Sequence, residues 1–433
     1  MVILLVNLTL PHRVRLIGVA VLLVPQLYLP GLPVSLAVLW TLLTCAIGLM
    51  ERGRSRADSP LVVISGLILA AAAVSFLWAL PSGIRPGVVT IFFELVFVLW
   101  LREVIVLARD DPGLLDTILL WAIPGVALQS VLTIVFRVSP TIENEFLHSQ
   151  LAWLTVGPAA QHLFTDAANN VLDPGRSGGF FVNTNVASLF GAVAALLLFI
   201  AARRTMHRWL YLFAGLSLAG SVFTGSKSFL VIGASLAVVI LVLPRMLKGS
   251  AALVALPIAL LLPLAFSSLI GFLERVFPTF YAKAQGSYGI RDDLWTRAAQ
   301  MFQESPVLGL GFGGWTEKVG RVGSTFVLPP HNTFVATWAN SGIIALALVV
   351  VFMVAAIVFG FRVATAQPTL RDRRTAVFAL CAIGWTFLHG MADNTGVYGD
   401  EQSMILVAVA FGYLYAMSRD RKQVSLGFTS DET

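Results

Sequence analysis

The feature that most constrains this chain is a series of apolar runs, each long enough to carry a helix across about 30 Å of hydrocarbon. They fall at roughly 15–29, 32–50, 60–80, 87–108, 114–136, 185–202, 208–224, 228–244, 251–270, 333–360, 375–390 and 402–417. That makes about twelve spans, the first and several later ones short. Inside lipid every backbone N–H and C=O must find a partner within its own segment, so such runs fold as helices. Composition agrees, with 57% apolar and 12% charged residues where soluble domains carry about 45–50% and 25%. The expected fold class is all-α: a polytopic integral membrane protein, one transmembrane domain over residues 1–433. No soluble domain, long low-complexity tract or clear internal repeat is expected.

Orientation follows from the basic residues, which stay on the cytoplasmic side when they sit in short loops. With the N-terminus inside, Arg52/Arg54/Arg56, Arg102/Arg109, Arg203/Arg204/Arg208, Arg245/Lys248 and Arg362/Arg371/Arg373/Arg374 all face the cytoplasm, as does the tail Arg419/Arg421/Lys422. The opposite face receives two long segments, 137–184 and 271–332, and the acidic turn "HGMADNTGVYGDEQ" at 389–402. The net charge of +6 then needs no nucleic-acid partner, because the cytoplasmic loops account for it. Cys45 and Cys381 are the two cysteines, both within spans, and are expected as core thiols rather than a disulfide. "MVILLVNLTL" lacks a basic leader and "HRVR" follows it, so a cleavable signal is not expected.

The outer face carries the chemistry. "DPGRSGGFFVNTNVASLF", residues 173–190, places Arg176 and a glycine pair ahead of Asn183 and Asn185. A planar cation at the membrane surface suits a phosphate, and glycine lets backbone approach a bulky ligand. The competing reading is structural, with Asn185 or Thr184 as a helix cap and Arg176 snorkelling. "FTGSKSFL", 223–230, is a short hinge that starts a helix with Lys227, an anion-friendly end or an interfacial lysine.

"YGIRDDLWTRAAQMFQESPVLGLGFGGW", 288–315, begins at Arg291. Its Leu294, Ala298 and Phe302 recur at helical spacing, which predicts an amphipathic helix lying on the membrane surface. Gly309, Gly311 and Gly314 match G-x-G-x-x-G in form, but no strand precedes them and the dinucleotide reading fails. Tight turning beneath a ligand, or plain loop flexibility, is expected instead. "LPPHNTFVATWAN", 328–340, sets His331 and Asn332 at a helix mouth, where the histidine is open to four roles: interface anchor, structural donor, metal ligand or base. A metal is poorly supported, since His389 and Asp393 share a helical face with no evident third ligand. Arg176, Lys227, Arg291 and Arg321, without a carboxylate ring, suit a lipid-anchored di-anion.

The order "GRSGGFFVNTN", "TGSKS", "RDDLW…SPVLGLGFGGW", "PHNTFVATWANSGIIAL", over about residues 175–350, resembles the O-antigen ligase and polysaccharide polymerase superfamily. The resemblance implies a membrane glycosyltransferase C-type fold with a large helical periplasmic loop at 271–332. It implies an inner-membrane, multi-pass enzyme with both termini cytoplasmic and the site facing the periplasm. The donor would be an undecaprenyl-diphosphate-linked oligosaccharide, with no cofactor and no metal. Arg176, Lys227 and Arg291 would then bind the donor diphosphate and His331 would be catalytic. Asn183, Asn185, Arg321 and Asn332 are further candidates for substrate contact. The acceptor would be a growing glycan, for a polymerase of O-antigen or exopolysaccharide, or lipid A core, for a ligase. Membrane lipid and a chain-length regulator complete the expected partners. A transporter or flippase is the reading from another class, disfavoured because the spans are nearly free of charge. Two positions depart from the family pattern: Lys227 stands where arginine is usual, and Asn340 where glutamate is common. The polymerase is preferred, since no residue marks recognition of lipid A core.

Overall fold

A computed structural model describes residues 2–29, 31, 34–52, 59–157, 159–160, 163–164, 170–247, 293–319, 321–322, 326–393 and 395–427. The described chain is helical throughout apart from one small hairpin. Its helices are α1 Val2–Thr9, α2 His12–Val21, α3 Leu36–Arg52, α4 Pro60–Ser75, α5 Ile84–Asp110, α6 Gly113–Val138, α7 Pro140–Leu147 and α8 Gln150–Val156. There follow α9 Thr184–Thr205, α10 Leu210–Phe223, α11 Lys227–Met246 and α12 at residues 293–304. The chain ends with α13 Gly314–Lys318, the antiparallel strands β1 Arg321–Val322 and β2 Phe326–Val327, α14 Thr333–Ala366, α15 Leu370–Ala392 and α16 Ser403–Gly427.

Among the described residues six helices are long and apolar enough to cross a membrane: Pro60–Trp78, Gly113–Val138, Thr184–Thr205, Lys227–Met246, Thr333–Ala366 and Leu370–Ala392. Three shorter apolar helices, Leu36–Glu51, Leu210–Phe223 and Ser403–Arg419, stand beside them. The protein is thus a multi-pass membrane protein. α5 has the length for a span, 27 residues, but is interrupted by Glu94, Arg102 and Glu103. The first expected span, 15–29, is not a continuous helix: α2 stops at Val21 after 10 residues, about 15 Å of rise. Pro25, in the chain that follows, cannot donate to a helix ladder. The expected span at 251–270 lies outside the described residues.

α9 is the central helix. Its apolar window is 83% buried, against 28% for α11, because α6, α10, α15 and α16 pack around it. Lipid offers no hydrophobic drive for helix pairing, so small residues and interhelical hydrogen bonds supply it. Ser217 of α10 donates to the Gly191 carbonyl of α9 at 2.8 Å, and a Cβ at Gly191 would lie 2.3 Å from Ser221 Oγ. Cys45 and Cys381 are buried and form no disulfide with each other.

Basic residues at the end of α9, the start of α15 and in α16 gather at one end of this bundle. Arg203 donates to the Arg371 carbonyl at 2.9 Å, Arg419 to that of Arg109 at 2.7 Å and Arg373 to that of Pro244 at 3.3 Å, while Arg204 pairs with Asp116 at 3.2 Å. If this end is cytoplasmic, as retention of basic loops requires, single cysteines tell the two ends apart. In a background without Cys45 and Cys381, Leu172→Cys and Glu304→Cys should react with an impermeant thiol reagent in intact cells. Leu370→Cys should not, and its labelling in unbroken cells would reverse the orientation.

Candidate active site

At the end opposite the basic residues, the loop before α9 is held by α6 and α7. Gln129 donates to the Gly178 carbonyl at 2.9 Å and accepts the Phe180 N–H at 2.8 Å. Glu143 accepts the Gly178 N–H at 2.9 Å, and Ser177 Oγ donates to the Thr133 carbonyl at 3.0 Å. Burial pushes the Glu143 carboxyl above its ordinary range, while the Gly178 N–H opposes the shift. A Cβ at Gly178 would sit 1.7 Å from the Phe181 carbonyl oxygen, so the turn admits no side chain. Its outcome is a fixed direction for Arg176 and a capped start for α9. Asn183 Oδ1 accepts the N–H groups of Asn185, 2.9 Å, and Val186, 3.3 Å. The same oxygen takes the Asn170 amide at 3.1 Å. Asn183 therefore acts as an N-cap.

Arg176 is only 17% exposed, and its Nε lies 3.2 Å from Asp173 Oδ2. Its Nη1 donates to Thr184 Oγ1 at 2.9 Å and, at 3.4 Å, to Asn185 Oδ1. Asn185 Oδ1 also accepts the Ser226 hydroxyl at 2.8 Å. The Ser177 N–H donates to the Thr224 carbonyl at 3.3 Å. The two hinges singled out in the sequence are thereby joined. Ser226 caps α11 through the Phe229 N–H at 3.3 Å, which makes Lys227 the first residue of α11. Two helix N-termini meet here, with Arg176 at one and Lys227 as the first residue of the other, and helix N-termini favour an anion.

From Asn185 the contacts continue to α15. The His389 ring, fully buried, has Nε2 3.0 Å from the Asn185 carbonyl and 3.9 Å from Asp393 Oδ2. Its Nδ1 is 3.4 Å from Thr395 Oγ1. Helix α15 ends at Ala392, and Asp393 is already extended, with φ −149°. His389 and Asp393 nonetheless meet. Asp393 is 3% exposed, and its other oxygen lies 3.4 Å from His331 Nδ1.

His331 occupies the left-handed region, φ 49°, a conformation that costs a non-glycine residue about 1–3 kcal/mol. Its neighbours enforce it. The Pro330 carbonyl accepts the Trp295 indole N–H at 2.9 Å. Asn332 caps α14 through the N–H groups of Phe334, 2.8 Å, and Val335, 3.2 Å, and donates to the Met391 carbonyl at 3.2 Å. Thr333 Oγ1 donates to the Gly390 carbonyl at 2.9 Å, pinning the start of α14 to the end of α15. Among the described residues no three His, Cys, Asp or Glu side chains are arranged to hold a metal ion.

The glycine-rich stretch 309–314 has a structural role. α14 is broken at Gly342, φ 81°, and the break receives the chain from Ser305 to Leu310. Leu310 N–H donates to the Ala339 carbonyl at 2.7 Å and Ile343 N–H to that of Val307 at 3.0 Å. A Cβ at Gly309 would be 2.1 Å from the Trp338 carbonyl, and one at Gly342 the same distance from that of Val307. Close packing of backbone on backbone, rather than a turn under a ligand, explains these residues. The expected amphipathic helix exists as α12, but its apolar face does not lie on lipid. Leu294 and Ala298 are buried against Trp315, Trp338 and Ala339, because α13 and the first half of α14 provide an indole-rich surface closer than the bilayer. Phe302, 37% exposed, meets Trp338 at 5.1 Å between ring centroids.

Of the residues expected from sequence, the fold joins Arg176, Asn185 and His331 through one run of contacts, with Lys227 opening α11 beside Ser226. Asn183 and Asn332 are drawn into capping. Arg291 lies outside the described residues, and Arg321 stands in β1. Sequence reasoning missed Ser226, took Thr184 only as a cap candidate, and set the His389–Asp393 pair aside as a metal site lacking a third ligand. The i, i+4 spacing of His389 and Asp393 was the available signal, but nothing in one dimension ties it to His331.

A comparison with curated proteins finds no match. A family model described as O-antigen ligase matches residues 212–350, which takes in the Lys227 hinge and the His331–Asn332 turn but not Arg176, His389 or Asp393. Over that segment, the chain is similar to the O-antigen ligase family.

Proposed function

We propose that the chain is a glycosyltransferase of the inner membrane that moves glycan from undecaprenyl diphosphate to an acceptor hydroxyl at the periplasmic end of the bundle, with a second lipid-linked repeat as acceptor. The observation that carries the reading is the continuous run of contacts from Arg176 through Asn185 and His389 to Asp393 and His331. It sets a cationic, helix-start region and a carboxylate-backed histidine on one framework. The match of residues 212–350 to the O-antigen ligase family model supports the reaction class. The twelve-span count, the membrane glycosyltransferase C-type fold and independence of metal belong to the same proposal.

In this reaction the acceptor oxygen bonds to the anomeric carbon as the bond from that carbon to the diphosphate oxygen breaks. The leaving group departs as an anion, so charge stabilisation and orientation matter more than a strong acid. Arg176 would take diphosphate oxygens with its planar fork, joined by Lys227 as a point charge and by Arg291. Asp393 accepts the His331 Nδ1–H, which leaves Nε2 with a lone pair to take the acceptor's proton. The 3.4 Å separation is long for a hydrogen bond, and such contacts tighten when substrate closes a site.

Transfer to lipid A core is the alternative, and donor activation is common to both. Purified protein given only its lipid-linked repeat should build a ladder of products if it polymerises. No elongation from repeat alone, followed by transfer once lipid A core is added, makes it a ligase.

A further inference from the structure

At the basic end of the bundle, the last turn of α9 meets the first turn of α15. Arg203 of α9 donates through Nε to Thr375 Oγ1 at 3.1 Å and through Nη2 to the Arg371 carbonyl at 2.9 Å. Arg371 returns the bond, donating to the Arg203 carbonyl, so each guanidinium is tied to the other's backbone. Arg374 follows three residues on along α15 and makes no hydrogen bond or ion pair among the described residues. Both Arg371 and Arg374 act on Arg203 as like charges.

Acids on the adjoining elements are engaged elsewhere. Asp116 takes Arg204 at 3.2 Å and the Tyr413 hydroxyl at 2.7 Å, while Asp372 accepts the Thr369 hydroxyl at 2.6 Å. Three cations gathered without a facing carboxylate repel one another, and Arg371 sits in the first turn of α15, the helix end that disfavours positive charge. An anion offsets both costs. It has a way in, because Arg371 is exposed and Arg374 half-buried. Beside the arginines, the chain from α9 into α10 exposes Trp209 and Leu212, the latter by 71%. Tyr211 joins the two sets, acting on Arg203 and meeting the Phe199 ring at 5.9 Å. Indole and phenol rings concentrate where hydrocarbon meets water, which places this cluster at the level of lipid headgroups.

We infer that the junction of α9 and α15 is a binding site for an anionic phospholipid, whose phosphate is taken by Arg371 and Arg374 and whose acyl chains lie along Trp209 and Leu212. Arg203 stands behind as the residue that fixes Arg371. Guanidinium forks match phosphate oxygens in geometry as well as charge, and basic pockets between spans at the cytoplasmic surface are suited to lipid headgroups. A soluble phosphate would use the arginines and leave the exposed indole and leucine without a role. The site lies at the other end of the bundle from Arg176 and His331, so the inference goes beyond the glycan-transfer reading and does not depend on it.

The test offers purified full-length protein phosphatidylglycerol or phosphatidylcholine at equal mole fraction in detergent micelles, and native mass spectrometry counts the lipid retained. Phosphatidylglycerol should be held several-fold better than phosphatidylcholine. Arg374→Gln, which breaks no bond described in the fold, should lower its retention roughly fivefold, and Arg371→Gln/Arg374→Gln roughly twentyfold. Arg371→Lys/Arg374→Lys should keep most of it, which separates lost charge from lost structure. Arg85→Gln, at the opposite end of the bundle, should change nothing, whereas Trp209→Ala/Leu212→Ala should weaken retention several-fold. Equal retention of the two lipids by the wild type, or undiminished phosphatidylglycerol in Arg374→Gln and in the double glutamine variant, overturns the site. Displacement of phosphatidylglycerol by inorganic phosphate at matched concentration would make this a site for a soluble anion and overturn the lipid assignment.

Discussion

His331→Ala should leave a folded, membrane-inserted protein whose product formation is lower by roughly 10²–10⁴-fold, the usual consequence of losing a general base. The fold tolerates the change because the cap of α14 belongs to Asn332 and the contact with Trp295 to the Pro330 carbonyl. What is lost is the ring whose Nδ1 faces Asp393 at 3.4 Å. Asp393→Asn extends the argument. An amide can donate to Nδ1, which stabilises the wrong tautomer and leaves Nε2 protonated. Product should fall by about 10²-fold or more at matched protein levels, with a changed pH profile. If His331→Ala makes near-normal product, the residue is a turn element and the catalytic role is wrong.

Arg176→Ala should lower product formation by roughly 10²–10³-fold, as removal of a donor aimed at developing charge does. Arg176→Lys should recover little of it. The fork is oriented through two different nitrogens, Nε toward Asp173 at 3.2 Å and Nη1 toward Thr184 at 2.9 Å, and a single ammonium cannot reproduce that geometry. Lys227→Arg should be tolerated if Lys227 serves only as a positive charge at the start of α11. Binding of the lipid-linked donor to the purified variants is the measurement. Unchanged donor binding in Arg176→Ala would mean that the arginine orients the loop and does not hold the diphosphate.

Much of the architecture was legible before any coordinates because lipid leaves few choices. An apolar run in hydrocarbon must be a helix, so the runs at 114–136, 185–202 and 228–244 reappear as α6, α9 and α11 within a few residues. The first run failed for a reason also written in the chain, since Pro25 interrupts it. The amphipathic pattern of Leu294 and Ala298 correctly foretold a helix but not its partner. Apolar periodicity says that a face is covered, not whether lipid or an indole covers it.

The candidate site divides the same way. The sequence alone determined that a histidine follows two prolines at a helix mouth, that Arg176 and Lys227 each precede or open an apolar helix, and that cations predominate in those hinges. These are local properties of spacing and residue type. Only the tertiary structure decided that Asn185 joins the two hinges, that the glycines at 309 and 342 are backbone contacts, and that Asp393 stands behind His331. Asp393 is 62 residues from His331, and His389 is 204 residues from Asn185. Their meeting depends on α14 and α15 returning to the same end as the start of α9, which is set by α15 packing on both α9 and α14 and not by any local pattern.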